Sequence, residues 1–87
     1  MMKAAVFDTY VKKPDNTVMH FDIIVPDPTA FEKVQTYGQQ YLGQKGFNDL
    51  PLTAKECRFC HIEQANPALE KAISQTGYAI IELSNCD

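Results

Sequence analysis

Two stretches near the start of the chain are rich in β-forming residues. They are residues 3 to 11, Lys-Ala-Ala-Val-Phe-Asp-Thr-Tyr-Val, and residues 17 to 25, Thr-Val-Met-His-Phe-Asp-Ile-Ile-Val. Between them lies Lys13-Pro14-Asp15-Asn16, whose residue types favour a turn, so the pattern predicts a β-hairpin. Register matters in such a hairpin, because a slip of one residue exchanges the two faces of a strand. With Lys12 opposite Asn16, Phe7 faces Phe21, Ala5 faces Ile23 and Thr9 faces Met19, which gathers the large apolar groups on one side. The other side then carries Asp8 across from His20, with Tyr10 and Asp22 nearby.

The period changes after Val25. Asp27-Pro28 predicts a helix start, since the carboxylate can cap free amides and proline in the first turn loses no hydrogen bond. Phe31, Val34, Gly38, Tyr41 and Leu42 recur at helical spacing, and Gly43 supplies a stop. Glycine inside such a stripe costs about 1 kcal/mol relative to alanine, so Gly38 points to close approach of the helix and the sheet. A second helix is bracketed in the same way by Asn66-Pro67 and Gly77, with Leu69, Ala72, Ile73 and Thr76 on its inner face. Between the helices, Thr53-Ala54-Lys55-Glu56 fits a capping box and predicts one helical turn, and Cys57 to Glu63 then reads as a strand. The closing Tyr78 to Leu83 is apolar on both faces apart from Glu82, which predicts an interior strand.

The resulting order is ββαβαβ. Short joints around the second helix predict parallel flanking strands joined by a right-handed crossover. The expected class is therefore α+β, with two layers: a mixed four-stranded sheet and both helices on one face. That arrangement leaves the other face bare, presenting Val6, Tyr10, Val18 and Ile24 beside Asp8, His20 and Asp22. Apolar patches of that kind are uncommon on monomers, so a homo-oligomer, in its simplest form a two-fold dimer, is expected.

Composition narrows the function classes. Eighty-seven residues support one domain, residues 1–87, with a net charge of −3. Arg58 is the single arginine and the lysines are scattered, so no basic stripe exists for a phosphate backbone and no nucleic-acid partner is expected. No apolar stretch approaches the ~20 residues that cross a bilayer, so no membrane partner is expected either. Asp8 falls where a signal peptide needs its apolar centre, which points to the cytoplasm. Three cysteines in such a chain argue against a disulfide framework, and Cys57 and Cys60 are expected to stay unbonded to each other.

Two clusters could carry chemistry. Cys57-x-x-Cys60-His61 has the letters of a c-type haem attachment motif, but its mid-chain position in a predicted strand and the absence of an export signal argue against haem. Zinc is the one cofactor for which ligands can be drawn, with Cys57, Cys60 and His61 as candidates and Cys86 or His20 able to complete a tetrahedron. On an extended strand Cys57 and Cys60 point to opposite faces, however, and the second Cys-x-x-Cys pair of a strong zinc signal is missing. Thioredoxin-like dithiol chemistry lacks the helix N-terminus that lowers a thiol pKa. The structural reading, with Cys60 a small core hydrophobe and Cys57 an edge thiol, is preferred, and no cofactor is expected.

The other cluster is Asp8, Tyr10, His20 and Asp22. A carboxylate opposite an imidazole can orient it and raise its basicity, as in a general base. No nucleophile is placed beside it, and an alternating His-Phe-Asp is also an ordinary polar strand face, so these four residues are candidates for binding and not for catalysis.

Several blocks taken together are specific: Asp8-Thr9-Tyr10-Val11, Val18-Met19-His20-Phe21-Asp22-Ile23, Tyr41-Leu42 with Gly46, Glu56-Cys57-Arg58-Phe59-Cys60-His61-Ile62-Glu63, and Gly77-Tyr78 to Cys86. Along nearly its whole length the chain resembles a family of short bacterial proteins known as a domain of unknown function. The resemblance implies a stand-alone bacterial α+β protein of this size and carries no catalytic role over. The expected function is a small cytoplasmic binding or interaction domain without catalysis of its own. The alternative is a metal-dependent or thiol-based activity centred on Cys57, Cys60 and His61.

Overall fold

The structure is a computed structural model, and it describes residues 3–48, 50–56 and 66–86. The elements follow the order β1 (Ala4–Lys12), β2 (Val18–Pro26), α1 (Phe31–Gln44), β3 (Thr53–Glu56), α2 (Pro67–Thr76) and β4 (Ala79–Ser84). The strands form one sheet in the order β3-β1-β2-β4, and every neighbouring pair is antiparallel. The α+β class and the ββαβαβ order are as expected.

The hairpin forms with its register displaced by two residues from the expected one. Lys12 faces Val18, so Phe7 faces Ile23, Thr9 faces Phe21, Asp8 faces Asp22 and Tyr10 faces His20. Turn chemistry explains the displacement. Asn16 donates its N–H to the Lys13 carbonyl at 3.0 Å and Lys13 donates to Thr17 at 2.9 Å, which centres the turn on Asp15. Pro14 then takes the first central position, which its ring suits, and Asn16 adopts a left-handed φ of 70°. The Asp15 carboxylate accepts from both the N–H and the hydroxyl of Thr17, at 3.0 and 2.6 Å. A displacement of two keeps every residue on its expected face.

The sheet is antiparallel throughout, not mixed. The hairpin occupies its centre, so β3 adds to the outer edge of β1 and β4 to the outer edge of β2, and the two strands flanking α2 run in opposite directions. Thr53–Glu56 is an edge strand rather than a helical turn, because Thr53, Ala54 and Lys55 pair with Tyr10, Thr9 and Asp8. The strand predicted over 57 to 63 lies outside the described residues. β4, expected in the interior, is an edge strand.

The helices take opposite faces, so the fold has three layers and not two. α1 brings Val34, Tyr41 and Leu42 onto Ala5, Phe7, Val11, Met19, Phe21, Ile23 and Val25. α2 brings Ile73, with Leu69 and Ala72 at its margin, onto Ala4, Val6, Ile24 and Ala79 on the other side. This double cover explains the apolar pattern of β4: Ile80 packs into the first cluster, and Ala79 and Ile81 into the second. It also removes Val6 and Ile24 from the surface, where they are 3% and 0% exposed, while Tyr10 and Val18, the other two apolar residues of the expected bare patch, remain exposed.

Helix ends differ in how well they follow the sequence. α2 matches its signals: Asn66 Oδ1 accepts the Leu69 N–H at 2.9 Å, Pro67 opens the helix and Gly77 closes it at φ 93°. Thr76 is exposed rather than on the inner face. α1 starts at Phe31, later than Asp27-Pro28 predicts, because the Asp27 N–H extends the hairpin by donating to the Lys3 carbonyl at 3.0 Å. It also runs past Gly43 to Gln44 and ends near Gly46, which holds the left-handed φ of 86°. Phe31 leans on Phe7 with ring centroids 6.1 Å apart and remains 45% exposed. Gly38 does mark close approach: a Cβ there would fall 2.7 Å from Leu52 and 3.2 Å from Ile23. At the far end of α1, Tyr41 donates to Glu82 Oε2 at 2.5 Å, and Lys45 meets the same oxygen at 2.7 Å. Burial, then the hydrogen bond to Glu82, push the Tyr41 hydroxyl well above the usual tyrosine range. This clamp ties the helix C-terminus to edge strand β4.

Candidate functional site

α2 is short, and its apolar contacts fall at one end of the second face, on Ala4, Val6, Ile24, Ala79 and Ile81. Beyond them the hairpin continues on that face as Asp8 and Tyr10 on β1 and His20 and Asp22 on β2. The four predicted binding candidates therefore do share one face.

Their arrangement differs from the expected one because of the displaced register. Asp8 faces Asp22 directly and His20 faces Tyr10, so the imidazole lies diagonal to Asp8. His20 Nε2 stands 3.7 Å from Asp8 Oδ1, too far for a hydrogen bond. The Tyr10 ring stacks on the imidazole, with centroids 4.3 Å apart and planes 10° from parallel, which holds the His20 ring against the sheet.

Like charges directly opposed across two strands are unfavourable. Here the cost falls on Asp22. Burial, then the hydrogen bond and the charge of Asp8, push its carboxyl up to about 6, and His20 opposes the rise only in part. Two atoms of the cluster, His20 Nε2 and Asp22 Oδ1, are buried and have no hydrogen-bond partner among the described residues. Unpartnered buried polar atoms are rare in folded proteins, and each costs stability until something satisfies it.

Asp8, His20 and Asp22 can each offer one donor atom, with all three atoms within 4.8 Å of one another; among the described residues they are the group so disposed. A catalytic reading would need a nucleophile aimed at His20, and no hydrogen bond places one there among the described residues.

Lys55 was missed by sequence reasoning. It faces Asp8 across β1 and β3, at the edge of the cluster, exposed and without an ion pair to Asp8. The alternation of polar Thr53 and Lys55 around Ala54, which packs toward α1, was the signal that a strand and not a helical turn sits there. Cys86, a candidate to complete a metal site, is a buried free thiol in the α1-side core that donates to the carbonyls of His20 and Ser84 at 3.3 and 3.4 Å. It thus lies on the opposite side of the sheet from the His20 imidazole. Cys57, Cys60 and His61 lie outside the described residues. Among the described residues no helix is long and apolar enough to cross a membrane.

None of the curated proteins matches the chain. Among solved structures, the NMR structure of protein NE1680 from Nitrosomonas europaea, a structural genomics target, superposes with a TM-score of 0.81 at 34% sequence identity, covering 99% of this chain and 100% of that one. The family described as a domain of unknown function, DUF2024, matches residues 2–83, and the chain belongs to that family.

Proposed function

We propose that the chain is a small binding domain of the bacterial cytoplasm, without catalysis of its own, whose ligand surface is the half of the sheet formed by Asp8, Tyr10, His20 and Asp22. One observation carries the reading: two carboxylates are held face to face beside an imidazole, with an Asp22 oxygen and the His20 Nε2 buried and without a hydrogen-bond partner among the described residues. Folding does not require two opposed carboxylates here, since neutral residues at these positions would remove both the like-charge repulsion and the unsatisfied atoms. A positively charged group docked there would neutralise the opposed carboxylates and satisfy the orphaned atoms in one step. Stability given up at a site is the usual trace of a binding role.

The test is a titration of 15N-labelled protein with cations of two kinds, Mn2+ and 1,4-diaminobutane, followed in amide spectra. Chemical-shift changes or line broadening centred on Asp8, Tyr10, His20 and Asp22 with either cation support the reading. Silence of these residues toward both overturns it.

A further inference from the structure

Resting on that reading, we infer that the ligand is a divalent first-row metal ion, held by one carboxylate oxygen each from Asp8 and Asp22 and by Nε2 of His20. Three features favour a metal ion over an organic cation. The three donor atoms already lie within 4.8 Å of one another. Ligands at roughly 2.0–2.2 Å from one ion stand some 3–4 Å apart, so only small side-chain movements close the site. An ammonium or guanidinium group, bonded through hydrogens at ~2.8 Å, needs a wider opening.

The second feature is the type of donor. Nε2 of His20 is buried and lacks a hydrogen-bond partner among the described residues, and its neighbour Asp8 is too far to bond it. A neutral imidazole nitrogen presents one in-plane lone pair, which makes it a common ligand of first-row metal ions. The stacked Tyr10 ring restricts the plane of the imidazole, which limits the directions in which its lone pair can point.

The third feature is charge. Two carboxylates and a neutral imidazole carry a formal charge of −2, which one divalent ion cancels. Two oxygens and one nitrogen suit Mn2+, Fe2+ or Zn2+ better than thiophilic Cu+ or all-oxygen Ca2+. The Asp8 and His20 side chains are 37% and 26% exposed, so the cluster borders solvent.

Mn2+ is the probe of choice, because it has little affinity for the thiols of Cys57, Cys60 and Cys86 and broadens nearby resonances. Calorimetry of the full chain with Mn2+ should show one site. Broadening should centre on Asp8, His20 and Asp22, and Asp22→Asn and His20→Gln should each weaken binding at least tenfold while keeping the dispersed amide spectrum of the fold. Broadening centred elsewhere, or unchanged affinity in the folded Asp22→Asn variant, overturns the inference. Where 1,4-diaminobutane perturbs these residues and Mn2+ does not, the metal assignment falls and the binding reading stands; where neither does, both fall.

Discussion

Asp8 and Asp22 stand directly opposite each other at the centre of the sheet, and the Asp22 carboxyl is pushed up to about 6 by burial and by Asp8. A carboxyl raised in the folded state binds its proton more tightly there than in the unfolded chain. Its stabilising effect is present below the ordinary value of 3.8 and is lost as pH rises through about 6. Asp8 from β1 and His20 from β2 are the titratable groups that act on it, Lys55 of β3 lies one strand further away opposite Asp8, and β4 contributes the apolar Ile81. Asp22→Asn is therefore expected to be more stable than the parent at pH 7, by on the order of 1 kcal/mol after solvent screening, with the difference shrinking toward pH 4. Urea unfolding of both proteins between pH 4 and 7 checks this, and a pH-independent difference would contradict it.

Ile73 is the buried residue through which α2 grips the sheet. Ile73→Ala is expected to cost about 2–4 kcal/mol, as large-to-small core substitutions do. A cost below ~1 kcal/mol in chemical denaturation would mean that α2 does not cover this face.

Ile24 separates two views of the same surface. On a bare sheet face, a lysine there would dissociate a dimer and leave the subunit folded. Fully buried against Ala4, Val6 and Ile73, as it is here, Ile24→Lys is expected to unfold the chain. Near-UV circular dichroism and sedimentation of the variant distinguish the outcomes, since a folded monomer would refute the packing of α2.

Gly77 combines a φ of 93° with a tight neighbour, since a Cβ there would fall 2.5 Å from the Tyr37 hydroxyl oxygen. Tyr37 has little freedom to withdraw, because its ring stacks on Tyr78 at 4.4 Å. Gly77→Ala is expected to lower stability by about 1–2 kcal/mol, measurable as a fall in Tm.

The elements that could be read from sequence are those whose signals are local. Asn66-Pro67 and Gly77 bracket α2 as expected, and the alternation in the hairpin placed Phe7, Phe21 and Ile23 in the core and Asp8, Tyr10, His20 and Asp22 on the other face. Non-local features were not legible in this way. The apolar pattern of β4 is the same for an interior strand and for an edge strand covered by a helix on each side, so Ala79 to Ile81 could not reveal that α1 and α2 lie on opposite faces. For the same reason Thr53 to Glu56 was open to two readings until its partner strand was known. In the site, membership was legible and pairing was not. Face depends only on odd or even position, whereas the partner across the strand depends on where the turn is centred.

That dependence makes the tip of the hairpin an electrical selector for groups several residues away. With the turn centred on Asp15, acid meets acid and aromatic meets imidazole; centred on Pro14, Asp8 would meet His20 and the two would neutralise each other. The ring of Pro14 and the left-handed backbone of Asn16 choose between a mutually satisfied ion pair and two opposed carboxylates. In chains built on this hairpin, the identity of two solvent-facing loop residues should thus foretell whether the strands beneath oppose like charges or close a polar contact.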